Sequence, residues 1–302
     1  MRKLFLFAAG LLLCAAVNAQ TFAWAGKAGS TGSDICRDIA TDAAGNVYST
    51  GTFTGSVDFD PGPGTTTLVS AGGNDIFISK VDAAGSLVWA VRIGNASSEE
   101  ANGIALDASG NIHITGGFFG AVDFDPGPGV VNSGNMTGMD IFVLKLSNAA
   151  GFIWYKQFGG TNDPQVGNKI AVDAAGNVYS TGQSIGVIDF DPGPGTANLG
   201  VSFSGNTNFY VSKLDASGNY VWAKCMGNAN SSAYGMDIVV SSSQEVYTCG
   251  YFIATSLDFD PGSGTVSLST GSGYDGFVHK LTAAGLYSWV RRIGGGNTPD
   301  AC

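Results

Sequence analysis

Histidine is nearly absent from this 302-residue chain; His113 and His279 are the two present. That excludes metal centres and proton relays built on several imidazoles. Cysteine is scarce too: beyond Cys14 there are Cys36, Cys225, Cys249 and Cys302, with no Cys-x-x-Cys and no zinc-like spacing. Cys225 and Cys249 are near enough in sequence to pair in an oxidising compartment, which spacing alone does not establish. Basic residues number 14 against 24 acidic ones. A chain so poor in Lys and Arg lacks the clustered charge that binds nucleic acid or an anionic membrane surface. No stretch carries a sustained helical period, so an all-α or α/β fold is excluded. Only one apolar run is long, Leu4 to Val17, and it is too short to span a bilayer comfortably.

That run follows Arg2 and Lys3 and ends in Val17-Asn18-Ala19-Gln20, the layout of a secretory leader cleaved after Ala19. An N-terminal anchor helix is the alternative. Loss of Arg2 and Lys3 with the leader takes the net charge from −10 to −12. The expected location is therefore secreted, extracellular or on the outer cell surface, with no membrane span. What the chain has in abundance is glycine, 46 residues. With 44% hydrophobic residues this indicates tight turns around a core rather than disorder.

An internal repeat decides the fold. All five tryptophans, Trp24, Trp89, Trp154, Trp222 and Trp289, are spaced by 65, 65, 68 and 67 residues. Asp-Phe-Asp-Pro-Gly recurs from Asp58, Asp123, Asp189 and Asp258. Asp-Ala-x-Gly-Asn recurs from Asp42, Asp107 and Asp173, and its fourth copy has decayed to Ser241-Ser242-Ser243-Gln244-Glu245. A lysine closes an apolar strand at Lys80, Lys145, Lys213 and Lys280. Each unit reads as two hairpins. In the first, strands are expected at 35–42, 47–50, 75–81 and 87–91, with Gly-Asn and Gly turns between them. Third strands such as Ile76-Phe77-Ile78 are apolar on both faces, as in a sheet stacked between sheets. Stacked four-stranded sheets around an axis make a β-propeller. A solenoid usually has shorter coils, and a 65-residue sandwich bead would have little core.

The expected organisation is a leader at 1–19 and a repeat domain over 20–302. Its units run over about 34–95, 101–160, 167–228 and 235–295, with an extra fourth strand at 22–29 and the start of a further unit at 296–302. The tail Asp300-Ala301-Cys302 echoes Asp34-Ile35-Cys36, so a fragment of a larger propeller is expected; a closed four-bladed ring is the alternative.

The copies Asp-Ala-Ala-Gly-Asn-Val-Tyr, Asp-Phe-Asp-Pro-Gly-Pro-Gly and Lys-Val-Asp-Ala-Ala-Gly-Ser-Leu-Val-Trp resemble SBBP-type β-propeller repeats of secreted proteins, over nearly all of 22–302. That resemblance implies a propeller with cell-surface or extracellular placement, and it carries no general catalytic residues.

Three features offer chemistry. The carboxylate pairs Asp58 and Asp60, Asp123 and Asp125, Asp189 and Asp191, and Asp258 and Asp260 precede Gly-rich turns. They offer oxygens to Ca²⁺, though without the full twelve-residue EF-hand pattern. Two structural readings compete: Asp capping turn amides, and an ion pair with the repeated lysines. The tryptophans fit blade-to-blade packing better than sugar stacking, since they hold one position in every unit. Gly182-Gln183-Ser184-Ile185-Gly186 matches a nucleophile motif, but in an all-β repeat rather than a strand-turn-helix. The histidines hold different unit positions and read as strand-packing residues. The expected function is a non-catalytic surface scaffold binding an extracellular glycan or protein. A propeller enzyme acting on polysaccharide and a purely structural matrix protein are the alternatives. Residues unique to one copy, Glu99, Glu100, His113, Arg291 and Arg292, discriminate: convergence favours a site, scatter a scaffold.

Overall fold

The computed structural model describes residues 23–134, 138–159, 164–201, 205–271 and 273–294. The expected leader and the expected opening of a further unit lie outside the described residues. The described chain is all-β, and it contains no helix long and apolar enough to cross a membrane.

Four antiparallel four-stranded sheets follow one another, each with its strands in chain order. Blade 1 is Ile35–Thr41, Val47–Phe53, Asp75–Val81 and Leu87–Ile93. Blade 2 is Glu100–Leu106, Ile112–Phe119, Met139–Leu146 and Phe152–Phe158. Blade 3 is Val166–Val172, Val178–Ile185, Thr207–Leu214 and Tyr220–Met226. Blade 4 is Ser231–Val240, Val246–Ala254, Asp275–Leu281 and Tyr287–Ile293. The strands thus fall where the alternation of apolar residues and Gly turns puts them. The first strand of each blade packs on the first strand of the blade before it, which sets the first strands toward a common axis.

The core lies between blades more than within them. Ile76 and Ile78 of blade 1 meet Ile104, Ile112 and Ile114 of blade 2. Ile141 and Val143 meet Ile170 and Tyr210 across the next interface, and Phe209 and Val211 meet Ile238 and Phe277 across the last. The third strands are buried on both faces, as their unbroken apolar runs require.

The tryptophans join the blades. The indole N–H of Trp89 in blade 1 donates to the Asn148 carbonyl in the last turn of blade 2 at 3.2 Å. Trp154 does the same to Ala216 of blade 3 at 3.2 Å, and Trp222 to Ala283 of blade 4 at 3.3 Å. Trp24 reaches Ala83 of blade 1 at 3.2 Å. The receiving turn has a residue at positive φ beside the indole: at Gly85, Gly218 and Gly285 an added Cβ would press on the incoming ring, whereas the blade 2 turn that takes Trp89 has Ala150 there at φ 62°. These side chains are interface residues, though not uniformly buried: Trp222 is 9% exposed and Trp24 38%. Residues 23–28 form no strand, in contrast to the expected extra fourth strand; no third strand lies beside them among the described residues, and only Trp24 keeps the repeated docking.

The connection between second and third strands folds out as a small side hairpin, for example Ser56–Asp58 with Thr67–Val69. It returns its central phenylalanine to the blade. Phe59 is 5% exposed, and Phe124, Phe190 and Phe259 are fully buried. Phe124 stacks on Tyr155 at 4.1 Å, and Phe259 meets Phe277 at 5.1 Å.

Candidate binding site at the blade axis

Each first strand carries a β-bulge at the same place, between Cys36 and Asp38, Ala101 and Gly103, Gly167 and Lys169, and Gly235 and Asp237. The bulged residues are Arg37, Asn102, Asn168 and Met236. The cause is written in the second strand, where Gly51, Gly116, Gly182 and Gly250 face the bulge. A Cβ at any of them would collide with the backbone carbonyl of the first strand, at Ile35, Glu100, Val166 or Tyr234. A bulge re-aims a side chain and frees it from the ladder.

The two bulged asparagines then bridge blades. Asn168 Nδ2 donates to the Gly235 carbonyl at 2.8 Å, and Asn102 Nδ2 to the Gly167 carbonyl at 3.2 Å and to Glu100 Oε1 at 3.1 Å. One residue further on, Lys169 Nζ reaches from blade 3 to Asp38 Oδ1 of blade 1 at 2.6 Å, while Asp38 Oδ2 accepts the Ile104 N–H of blade 2 at 2.8 Å. Three blades are tied at the axis. Beside this pair lies a cavity of about 370 Å³ bounded by Arg37, Glu100, Asn102, Asn168, Lys169 and Met236. That volume lies in the range of pockets that hold a small ligand or a short peptide segment. Its walls mix both charges, amides and a thioether, so it is equipped to recognise a polar chain rather than a purely apolar body.

The Asp-Phe-Asp loops lie elsewhere, and one oxygen of each carboxylate caps its own turn. Asp58 Oδ1 accepts the amides of Asp60 and Thr66 at 3.0 and 2.8 Å. Asp123 accepts those of Asp125 and Val131, Asp189 those of Asp191 and Ala197, and Asp258 those of Asp260 and Val266. The second aspartate of each pair closes the Pro-Gly bend. Asp60 Oδ1 accepts the Gly62 N–H at 2.8 Å. Asp125 Oδ1 accepts the Gly127 N–H at 2.7 Å. Asp191 Oδ1 accepts the Gly193 N–H at 2.8 Å. Asp260 Oδ1 accepts the Gly262 N–H at 2.8 Å. The other oxygen of Asp60, Asp125, Asp191 and Asp260 lies so close to Gly64, Gly129, Gly195 and Gly264 that a Cβ there would overlap it.

The structure places Asp58, Asp60, Asp123, Asp125, Asp189, Asp191, Asp258 and Asp260 in these capped turns. One oxygen of each carboxylate is engaged by backbone amides, and each loop brings only two carboxylates. Among the described residues no three His, Cys, Asp or Glu converge as a metal-binding group. The turn-capping reading accounts for Asp125, Asp191 and Asp260 as fully as for Asp60.

The repeated lysines do not pair with these loops, in contrast to the third reading of the sequence. Strand register sets Lys80, Lys145, Lys213 and Lys280 opposite Tyr48, His113, Tyr179 and Tyr247, at the other end of the blade. Lys80, Lys213 and Lys280 lie over the tyrosine rings at 4.8, 5.0 and 5.1 Å. Lys145 instead pairs with Asp107 at 3.1 Å, and Lys280 also with Glu245 at 2.7 Å. Asp107 is the turn aspartate of blade 2. Burial tends to raise its carboxyl, but bonds from Asn111, Lys145 and His113 outweigh that and hold it below the usual range. Burial, with Lys145 close by, lowers His113 to about 4; burial likewise lowers His279, bonded to the Phe259 carbonyl at 2.9 Å, to about 4. Both are neutral packing residues at pH 7.

Residues unique to one copy scatter. Glu99 is buried at the blade 1–2 interface, Glu100 lines the axial cavity, His113 sits at the far turn, and Arg291 lies over Trp289 at 5.7 Å. Arg292 is not unique in role: it pairs with Asp275 as Arg92 does with Asp75. Ser184 is buried inside the strand Val178–Ile185, not at a strand-turn-helix. Cys36, Cys225 and Cys249 are not joined in disulfides, and burial pushes the Cys225 thiol up to about 12. What sequence reasoning missed is the axial set. Its signal was available: the pairs Arg37-Asp38, Asn102-Gly103, Asn168-Lys169 and Met236-Asp237 disagree in charge and size, while the residue after each pair is isoleucine in all four copies, Ile39, Ile104, Ile170 and Ile238.

Comparison with known proteins agrees with this architecture. Residues 153–189 match the family model described as SBBP, a beta-propeller repeat. The match starts in the fourth strand of blade 2 and ends in the Asp-Phe-Asp loop of blade 3, so it straddles one stapled interface. Residues 153–189 thus carry a β-propeller repeat of this kind. It is also similar to an uncharacterized WD repeat-containing protein of Acanthamoeba polyphaga mimivirus, 24% identical over 261 residues. That stretch is 76% of this chain but spans only 19% of the relative.

Proposed function

We propose that this chain is a non-catalytic, extracellular interaction module that holds a polar segment of a partner protein in its axial cavity. One observation carries the reading: the positions where the copies disagree most in charge, at and beside the bulges, are the ones gathered at the axis. Structural positions keep the repeat, whereas a site specific for one ligand has no reason to. The WD-repeat relative and the propeller repeat support an interaction role, and because a fold does not fix function the reading rests on the axial residues themselves. Export rests on the leader pattern of residues 1–19.

Selection of binders from a displayed peptide library on immobilised protein tests the reading. The selected peptides are expected to lose affinity at least tenfold on R37E and on K169E, and to keep it on V221D, which alters the exposed outer edge of blade 3. Peptides that bind all three variants equally would overturn it.

A further inference from the structure

Blade 4 carries a cluster that no other blade repeats. Tyr234 and Tyr251, paired across the first two strands, stack at 4.7 Å with 26° between their planes. Tyr274 stands edge-on to Tyr251 at 5.4 Å and lies 6.2 Å from Tyr234. Strand register equates these positions with Ile35, Thr52 and Asn74 in blade 1, Glu100, Gly117 and Met139 in blade 2, and Val166, Gln183 and Thr207 in blade 3. Three tyrosines have therefore entered one blade together. All three are half-buried, so none is a core residue.

The same sheet face continues into a cavity. Ser232 and Ile253 are the next pair along from Tyr234 and Tyr251 on that face. They line a hollow of about 360 Å³ with Asn206, Asn230, Thr255 and Thr270. Its wall holds amides and hydroxyls and not one charged side chain. Two residues of strand cover about 7 Å, so rings and hollow form one continuous surface. Burial, then the neighbouring tyrosine, holds the hydroxyls of Tyr251 and Tyr274 above their ordinary range. Tyr251 and Tyr274 thus keep their hydroxyl protons at any physiological pH.

We infer that this tyrosine platform and the neutral hollow beside it form a binding site for an uncharged oligosaccharide. A sugar ring has an apolar C–H face and a rim of hydroxyls. Aromatic rings take the face, and short amide and hydroxyl side chains bond the rim without the desolvation cost of an ion. A charged ligand finds no counter-charge in the hollow, and a hydrocarbon ligand would leave its amides and hydroxyls unpaired. Tyrosine clusters also occur at protein interfaces, but the uncharged hydroxyl-and-amide hollow fits a sugar better. This site is separate from the axial cavity and stands or falls without it.

Titration calorimetry with cellohexaose and mannohexaose as neutral probes, and hexagalacturonate as a charged one, tests the inference. At least one neutral probe is expected to bind with a millimolar or tighter dissociation constant. Y251A and Y274A are expected to weaken it tenfold or more, Y251F only slightly, and N230A severalfold, each variant being checked for an unchanged melting temperature. If Y251A or Y274A fails to fold, Y251F and N230A carry the comparison. No binding by either neutral probe at millimolar concentration overturns the inference, as does binding of hexagalacturonate alone. Sugar binding that ignores all the variants overturns it too. So does self-association that Y251A abolishes with no sugar bound, which would assign the tyrosines to a second copy of the chain.

Discussion

Replacing Trp154 by alanine probes the joint between blades 2 and 3. The half-buried indole packs on the turn glycine Gly218 and donates to the Ala216 carbonyl at 3.2 Å. A fully buried aromatic truncation costs about 3–5 kcal/mol, and partial exposure scales this to about 2. The lost hydrogen bond adds about 1 kcal/mol. The expected destabilisation of W154A is about 3 kcal/mol, or about 6–12 °C in melting temperature for a chain of this size unfolding as one unit. Trp289 meets Tyr247 and Arg291 but no receiving turn among the described residues, so W289A is expected to cost less, about 1–2 kcal/mol. W154F keeps a ring and loses the N–H donor, and is expected to cost about 1 kcal/mol. Urea denaturation followed by intrinsic fluorescence and by circular dichroism gives all three values. A W154A variant no less stable than W289A, or a W154F as damaging as W154A, would refute the staple.

Three further outcomes follow from the same geometry. Glu99 is buried against Asp75 and Arg92 with Oε1 unbonded, and burial raises its carboxyl to about 7. The folded state therefore holds a proton that the unfolded chain releases near pH 4.5, so this stability is full below pH 4.5 and is lost as pH rises through 7. E99Q is expected to flatten the dependence and gain about 1–2 kcal/mol at pH 8, screening discounted, as read from melts across pH 4–9. D123A removes an oxygen that accepts two amides and is expected to cost about 1–2 kcal/mol, whereas D123N, which keeps an acceptor, is nearly neutral. Chelator or added calcium is expected to leave the melting temperature unchanged, and a calcium-dependent rise lost in D123N would instead make the loops metal sites. G116A puts a methyl against the Glu100 carbonyl and is expected to destabilise by more than about 2 kcal/mol in the same denaturation assay.

Much of the blade was legible in the chain. Periodic tryptophans, Gly-Asn turns and doubly apolar third strands fix a stack of four-stranded sheets, because each feature is local and repeats. Partners across blades were not. Lys80 was readable as a strand-closing lysine, but only register says that it meets Tyr48 and not Asp58. Asp125, Asp191 and Asp260 were readable as acidic turn residues, but only the folded loop shows that their oxygens turn back onto Gly127, Gly193 and Gly262. The role of Trp154 as a donor to the following blade is likewise absent from its own hairpin. The axial site is hidden for a different reason: its residues occupy one repeat position but differ in chemistry, so a search for matching motifs passes over them. Arg37, Asn102, Asn168 and Met236 become visible when the copies are compared for disagreement, and the glycines facing them tell why that position is free to vary. The three tyrosines of blade 4 carry the same kind of signal.

The central claim is that these disagreeing positions form the binding surface. Hydrogen–deuterium exchange of the protein with and without the tightest selected peptide tests it most directly. Protection is expected in the first strands, around residues 35–38, 100–104, 166–170 and 234–238. Protection confined to the fourth strands, at 87–93, 152–158 and 220–226, would contradict it.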